Sequence, residues 1–160
     1  MIRFTQNIDD IKSCAACLSK DRQEHRPHIL YLYSDGVNLY GTNGQQVAVA
    51  KGIGLEQGFY EVIKNIKTQI WLEKLDICAE YPDLDWLLVD FDYVMDFNCL
   101  SEGKRNISTC KLIRKTDIDF NVKFLDALPG DRSYSQGFID DKMFAFDHPD
   151  FRYCFMPYSC

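Results

Sequence analysis

Cys14 and Cys17 are followed by a second close pair, His25 and His28, and thiolate and imidazole are the donors that zinc prefers. Sites of this kind usually hold the cysteine pair on a turn, with a longer gap before the histidines. Here the cysteines fall in a stretch of helical periodicity, where they pass as small core residues. Nucleophilic chemistry also has its raw materials in Cys, His and Asp, but none of these stands in a Gly-rich or elbow setting. Asp140 with Asp141, and Asp147 with Asp150, could recruit a divalent ion or could simply occupy turns between strands. The expectation is a chain with no catalytic residue, no metal site and no cofactor, acting by binding.

Two charged stretches oppose each other. Asp76 to Asp96 carries seven acidic residues and no Lys or Arg, mixed with Trp86, Leu87, Leu88, Val89 and Phe91, which read as a buried strand with an acidic rim. Lys104, Arg105, Lys111, Arg114 and Lys115 surround an alternating pattern at Ile107, Thr109 and Leu112. That basic run is the candidate contact for a nucleic-acid phosphate backbone, or equally a rim that balances the acidic segment. The expected helix surfaces offer fewer cations: Lys12, Lys20 and Arg22 near the first, Lys123 and Arg132 near the second.

The elements that must position these groups begin with a motif written twice. Ile118 to Leu128 has apolar residues first two apart (Ile118, Phe120, Val122) and then at helical spacing (Phe124, Leu125, Leu128), which predicts a short strand running into a helix. The chain opens with the same grammar. With Ile2 laid on Ile118, Phe4 falls on Phe120, Ile8 on Phe124 and Asp10 on Asp126. Asn7 to Ser19 is the clearest helix, with Ile8, Ile11, Ala15 and Leu18 on one face, Asn7 placed to cap it, and Asp9 and Asp10 near its positive end. His28 to Ser34 alternates as a strand. Asp35-Gly36 and Asn43-Gly44 then signal two tight hairpins, with Val37 to Gly41 and Gln45 to Ala50 as the returning strands. Phe59 to Ile63 reads as a strand, whereas Thr68 to Leu75 fits neither period. Near the other end, strands are expected at Gly137 to Asp140, Met143 to Phe146 and Phe151 to Met156.

Composition limits what such a chain can be. Its 160 residues, 46% apolar and 26% charged, suffice to bury roughly two thirds of the unfolded surface without staples. Seven cysteines, an odd number without a framework, predict free thiols. The net charge of -6 argues against tight, general phosphate-backbone binding. With no apolar run long enough to span a membrane and no signal pattern at Met1, the expectation is a soluble, cytoplasmic protein.

The motif Ile118 to Leu128, the tail Tyr153-Cys154-Phe155-Met156-Pro157 and the hairpin Leu39 to Ala48 together resemble the bacterial DNA-polymerase sliding clamps. The tail is similar to the strand with which those chains finish, and the hairpin to the family's Thr-Asp-Gly-His-Arg-Leu-Ala segment, with Asn43 and Gln45-Gln46 in place of its Asp and His-Arg. The resemblance implies an α+β, clamp-like fold of two β-α-β-β-β halves with two helices packed on antiparallel sheet. Residues 1–160 would form a single domain, divided into a first half at 1–54, a poorly matched middle at 55–116 and a second half at 117–160. It also implies a groove for partner peptides made by Thr42, Gln45, Gln46, Val47, Cys154, Met156, Pro157 and Tyr158. The implied function is a non-catalytic DNA-replication protein that tethers replication or repair partners, with duplex DNA and further copies of the chain as additional partners. The alternative is a phage or mobile-element module that mimics the groove without encircling DNA.

Overall fold

The computed structural model describes residues 1–21, 23–88, 90, 92–98, 127–139 and 143–156. Its first strand, β1 (Ile2–Phe4), leads into helix α1 (Ile8–Ala16), and a short helix α2 (Pro27–Leu30) follows. Next come β2 (Leu32–Ser34), β3 (Leu39–Thr42), β4 (Gln46–Ala50), β5 (Gly58–Ile66) and β6 (Gln69–Lys74). A 3-10 turn at Asp85–Leu88 precedes β7 (Asp92–Asn98), and β8 (Ser133–Ile139), β9 (Met143–His148) and β10 (Phe151–Phe155) complete the described elements. The strands form one antiparallel sheet in the order β1-β6-β5-β2-β3-β4-β10-β9-β8-β7, so the early hairpin β3-β4 is joined to the late strand β10 at the middle of the sheet.

Strand alternation sorts the side chains into two layers. Leu39, Ala48, Ala50, Phe144, Phe146, Phe151, Tyr153 and Phe155 face α1, where they pack with Ile11, Cys14, Cys17, Ala127 and Leu128. Tyr40, Val47, Val49, Met143, Ala145 and Cys154 face the other way and are covered by Tyr81, Leu84, Leu87 and Leu88. In helix α1 the deepest residues are Ile11, Cys14 and, just past its end, Cys17, at the three-residue spacing that keeps one face on the sheet.

Several local expectations are revised. Asn7 does not cap α1 with its side chain. It adopts the left-handed conformation (φ 53°), which Asn tolerates better than most residues, and so turns the chain from β1 into the helix. The stretch from His28 begins as helix, because Pro27 at the first helical position has its φ preset and needs no N–H partner; Tyr31 N–H donates to Pro27 O at 3.0 Å and the strand starts only at Leu32. The first hairpin loop is longer than Asp35-Gly36. Asp35 Oδ1 accepts from the backbone N–H groups of Val37 (2.8 Å) and Asn38 (2.7 Å), so the returning strand begins at Leu39. The segment starting at Trp86 is no strand at its outset. Asp83 Oδ1 accepts from Asp85 N–H (3.0 Å) and opens a 3-10 turn, with strand beginning at Asp92. Thr68 to Leu75 resolves as strand β6, with Ile70 and Leu72 both turned into the core. The second strand-helix motif lies outside the described residues except for Ala127 and Leu128, as do the strand pattern around Ile107 to Leu112 and the pair Asp140-Asp141. Among the described residues, no helix is long and apolar enough to cross a membrane.

Candidate functional site

The β3-β4 hairpin and the end of β10 meet edge to edge. Cys154 pairs with Val47 and Phe155 with Gln46 across the ladder, and one residue further on Met156 N–H donates to Gln45 O at 3.0 Å. The hairpin tip is built by its own side chains. Asn43 Oδ1 accepts from the N–H groups of Gln45 (2.9 Å) and Gln46 (3.1 Å), while Thr42 Oγ1 donates to Gln46 O (2.7 Å) and accepts from Gly44 N–H (3.0 Å). Gly44, at φ +90°, supplies the left-handed residue this turn requires.

Between that tip and the covering segment lies a cleft of about 240 Å³. Thr42, Gly44, Gln45, Gln46 and Val47 form one wall, and Pro82, Leu84 and Leu87 the opposite one. Met143 and Met156 contribute sulfur-bearing surface, and Arg26, His28 and Ile29 come from the start of α2. The lining is therefore largely apolar, with polar groups from Thr42, Gln45, Gln46, Arg26 and His28, the composition of a site for a side-chain anchor rather than for bond-making.

Two anchors hold the covering segment in place. At the 3-10 turn, the nearly buried Arg152 donates from Nη1 to Leu87 O (2.6 Å) and from Nε to Asp147 Oδ1 (2.7 Å), and Lys51 Nζ approaches the same carboxylate at 2.9 Å. Burial works against ionising Asp147, but Arg152 and Lys51 outweigh it and hold the carboxyl below the usual aspartate range. At the other end, Tyr81 stacks on Tyr33 with ring centroids 4.1 Å apart and planes 5° from parallel. On the α2 side, Arg26 forms a two-point pair with Glu24 (2.9 Å each) that keeps the Glu24 carboxyl down at about 2.

Five residues that the sequence suggests for a groove, Thr42, Gln45, Gln46, Val47 and Met156, thus line one cleft. Two details differ from a simple reading. The Gln46 side-chain oxygen accepts from the Tyr153 hydroxyl, which ties this amide to a ring of the α1-facing layer. Cys154 is fully buried beneath the cleft among Val47, Met143 and Leu87, and burial pushes its thiol up to about 12. Pro157 and Tyr158 lie outside the described residues, as do Lys104, Arg105, Lys111, Arg114 and Lys115. The wall at Pro82, Leu84 and Leu87 was not foreseen as part of a site, although the three-residue spacing of the two leucines after a proline is a signal for a one-sided turn.

The remaining candidate groups take structural positions. Cys14 and Cys17 point into the core, with the Cys14 thiol donating to Leu39 O and Ala48 O (3.5 Å each), whereas His25 is exposed. Among the described residues, no group of three or more Cys, His, Asp and Glu side chains is arranged to hold a metal ion. Arg132 is no surface cation. It is half-buried, pairing with the buried Asp10 (2.8 Å) and with Asp131 (2.8 Å). Lys12 donates to Ile66 O at 2.6 Å, which leaves α1 without a row of free cations. Asp150 receives no metal partner from Asp147, whose carboxylate is committed to Arg152 and Lys51; its backbone N–H instead donates to His148 Nδ1 (3.1 Å).

No protein-family model matches this sequence, and no curated protein does. Solved structures do match, with the fold of DNA polymerase III β subunits, the sliding clamps. The chain is similar to the putative β subunit of Eubacterium rectale at 10% identity and a TM-score of 0.60, over 98% of this chain and 64% of that one. It is similar to the Borrelia burgdorferi β subunit in complex with a natural product at 12% identity and a TM-score of 0.58, over 99% of this chain and 62% of that one. The Helicobacter pylori β clamp bound to a DNA ligase peptide matches at 13% identity and a TM-score of 0.55, over 96% and 63%. The clamp-like α+β fold is therefore present, in a chain that spans less than two thirds of the length of these proteins.

Proposed function

We propose that this chain is a clamp-like replication protein that works by binding, and that the cleft between the Thr42–Val47 wall and Leu84–Leu87 holds a short partner peptide. The observation that carries this reading is the convergence of Gln45, Gln46, Val47 and Met156, from opposite ends of the sequence, on one apolar cleft. A clamp of the same fold has been solved bound to a DNA ligase peptide, which makes a peptide the natural occupant to test. An apolar peptide side chain would fill the space over Val47, Leu87 and Met143, and the Gln amides would orient its backbone. The test is fluorescence anisotropy of a labelled copy of that ligase peptide titrated with the purified chain. Saturable binding that weakens in Met156→Ala and Gln46→Ala supports the reading, and affinity unchanged in both variants removes it.

Tethering on DNA asks for more, because several copies would have to surround the duplex. Among the described residues β1 and β7 are the outermost strands of the sheet, and an assembly could be built from their edges. Solution mass with and without duplex DNA at low salt separates the cases. Oligomers with salt-sensitive DNA binding support a tether, and a monomer that takes up peptide but not DNA supports the groove-mimic alternative.

A further inference from the structure

Beside the cleft lies a second concavity of about 180 Å³, lined by Tyr33, Tyr40 and Tyr81 and by the carboxylate-bearing Asp35, Asp83 and Asp85. Pro82 and Leu84 line both spaces. We infer that this notch receives a basic side chain, guanidinium or ammonium, from the residue that flanks the apolar anchor of a peptide bound in the cleft. The inference rests on the peptide-binding reading and adds to it the charge of the partner.

The chemistry of the notch has one sign. None of its lining residues is Lys or Arg, and among the described residues neither Asp35 nor Asp85 forms an ion pair. Asp35 is ionised in the fold. Burial opposes this, but the N–H groups of Asn38 and Val37 and the hydroxyl of Tyr40, at 2.8 Å from Oδ2, hold its carboxyl below the usual range. Tyrosine rings add a second attraction for a cation through their negative faces, and a planar guanidinium also stacks on them. Tyr81, which lines the notch, carries a hydroxyl with no hydrogen-bond partner among the described residues. An acidic or purely apolar side chain would gain none of these contacts and would meet the carboxylates' field.

The notch is also held in shape. Stacking of Tyr81 on Tyr33 at 4.1 Å and the Tyr40-Asp35 hydrogen bond fix two of its walls before any ligand arrives, so little ordering is left for the binding step.

The experiment uses three sets of labelled peptides that share one apolar anchor and carry Arg, Ala or Glu at the flanking position, placed on each side of the anchor in turn. Each is titrated into the full chain and into Asp85→Asn and Asp85→Lys, which change an exposed side chain. For one of the two placements, the Arg peptide is expected to bind about fivefold more tightly than the Ala peptide at low salt, as for a partly exposed ion pair. The Glu peptide should be the weakest. This preference should shrink in Asp85→Asn and vanish in Asp85→Lys while affinity for the Ala peptide is retained, which also shows that the variants are folded. Equal affinities for the Arg and Ala peptides at both placements overturn the inference and leave the cleft reading standing, and so does an Arg preference that survives Asp85→Lys. If no peptide binds the folded chain, both readings fall.

Discussion

The backbone of Gly41 passes so close to Cys14 that a β-carbon on Gly41 would sit 1.9 Å from the Cys14 carbonyl oxygen. The atom in the way belongs to the helix backbone, so no side-chain rotation can relieve the clash. Helix α1 and strand β3 must separate if any other residue takes this place. Gly41→Ala is expected to cost about 3 kcal/mol, the upper range for overpacking a rigid contact. Gly44→Ala, where a β-carbon meets nothing within 4 Å and only the positive φ objects, should cost about 1 kcal/mol. Urea unfolding of the two variants beside the parent measures both values, and equal costs would show that the helix can shift freely.

What could be read in advance, and what could not, follows from the range of the forces involved. The hairpin tip at Asn43-Gly44 was legible because its turn is made by neighbours in sequence, Asn43 bonding to Gln45 and Gln46. The core role of Cys14 was legible from its spacing with Ile11 and Leu18. The apolar run from Trp86, by contrast, suits a buried strand and a buried turn equally well. The choice is made by Arg152, far along the chain, whose guanidinium captures the Leu87 carbonyl. Arg132 reads locally as a surface cation for the same reason, since its partner Asp10 belongs to the first helix. Pro27 starts a helix because a proline at the first helical position has its φ preset, a local signal weaker than the strand-like alternation that follows it.

Met156 offers the cleanest separation of binding from folding. Its side chain is half exposed, so Met156→Ala should leave stability within about 0.5 kcal/mol of the parent. Affinity for an anchor peptide should fall about tenfold, the loss typical of a central apolar contact. Anisotropy and urea unfolding on the same preparation check the two halves of the statement.

Thiol reactivity should divide the described cysteines sharply. Cys14, Cys17 and Cys154 are buried, and burial raises all three thiols above their ordinary range, whereas Cys78 is exposed. In a background where Cys99, Cys110 and Cys160 are replaced by Ser, a colourimetric disulfide reagent should modify one thiol quickly in the native chain. The remaining three should react only in denaturant. Fast modification of a second thiol would contradict the packing of α1 on β3 and β4.

Asp147 links the cleft's cover to acid stability. Its carboxyl titrates lower in the folded chain than in the unfolded one, so its contribution is complete above the ordinary aspartate value and is lost as pH falls through the folded value. Asp147→Asn should cost about 2 kcal/mol at neutral pH, because Arg152 and Lys51 lose a shared partner. The gap between parent and variant should close below pH about 4. Urea midpoints across that range report the closing directly, and a gap independent of pH would mean that the carboxylate charge is not what Arg152 needs.

The pair Asp10-Arg132 should respond very differently to loss of its two members. Burial raises the Asp10 carboxyl above its ordinary value, and the Arg132 guanidinium at 2.8 Å offsets only part of this. A group with a raised folded value favours the fold fully below the unfolded value, and that advantage is lost as pH rises through the folded value. Ionised Asp10 is therefore a burden that the fold carries at neutral pH. Asp10→Asn removes the charge, keeps the shape and leaves Arg132 paired with Asp131 at 2.8 Å, so its cost should stay under about 1 kcal/mol. Arg132→Met abandons a buried carboxylate and should cost about 3 kcal/mol at neutral pH. That cost should shrink as acid protonates Asp10, and the double variant Asp10→Asn with Arg132→Met should be more stable than Arg132→Met alone. Urea unfolding of the four chains at neutral and mildly acidic pH completes the cycle. Strictly additive losses at both pH values would show that the two side chains, although 2.8 Å apart, do not sense each other's charge.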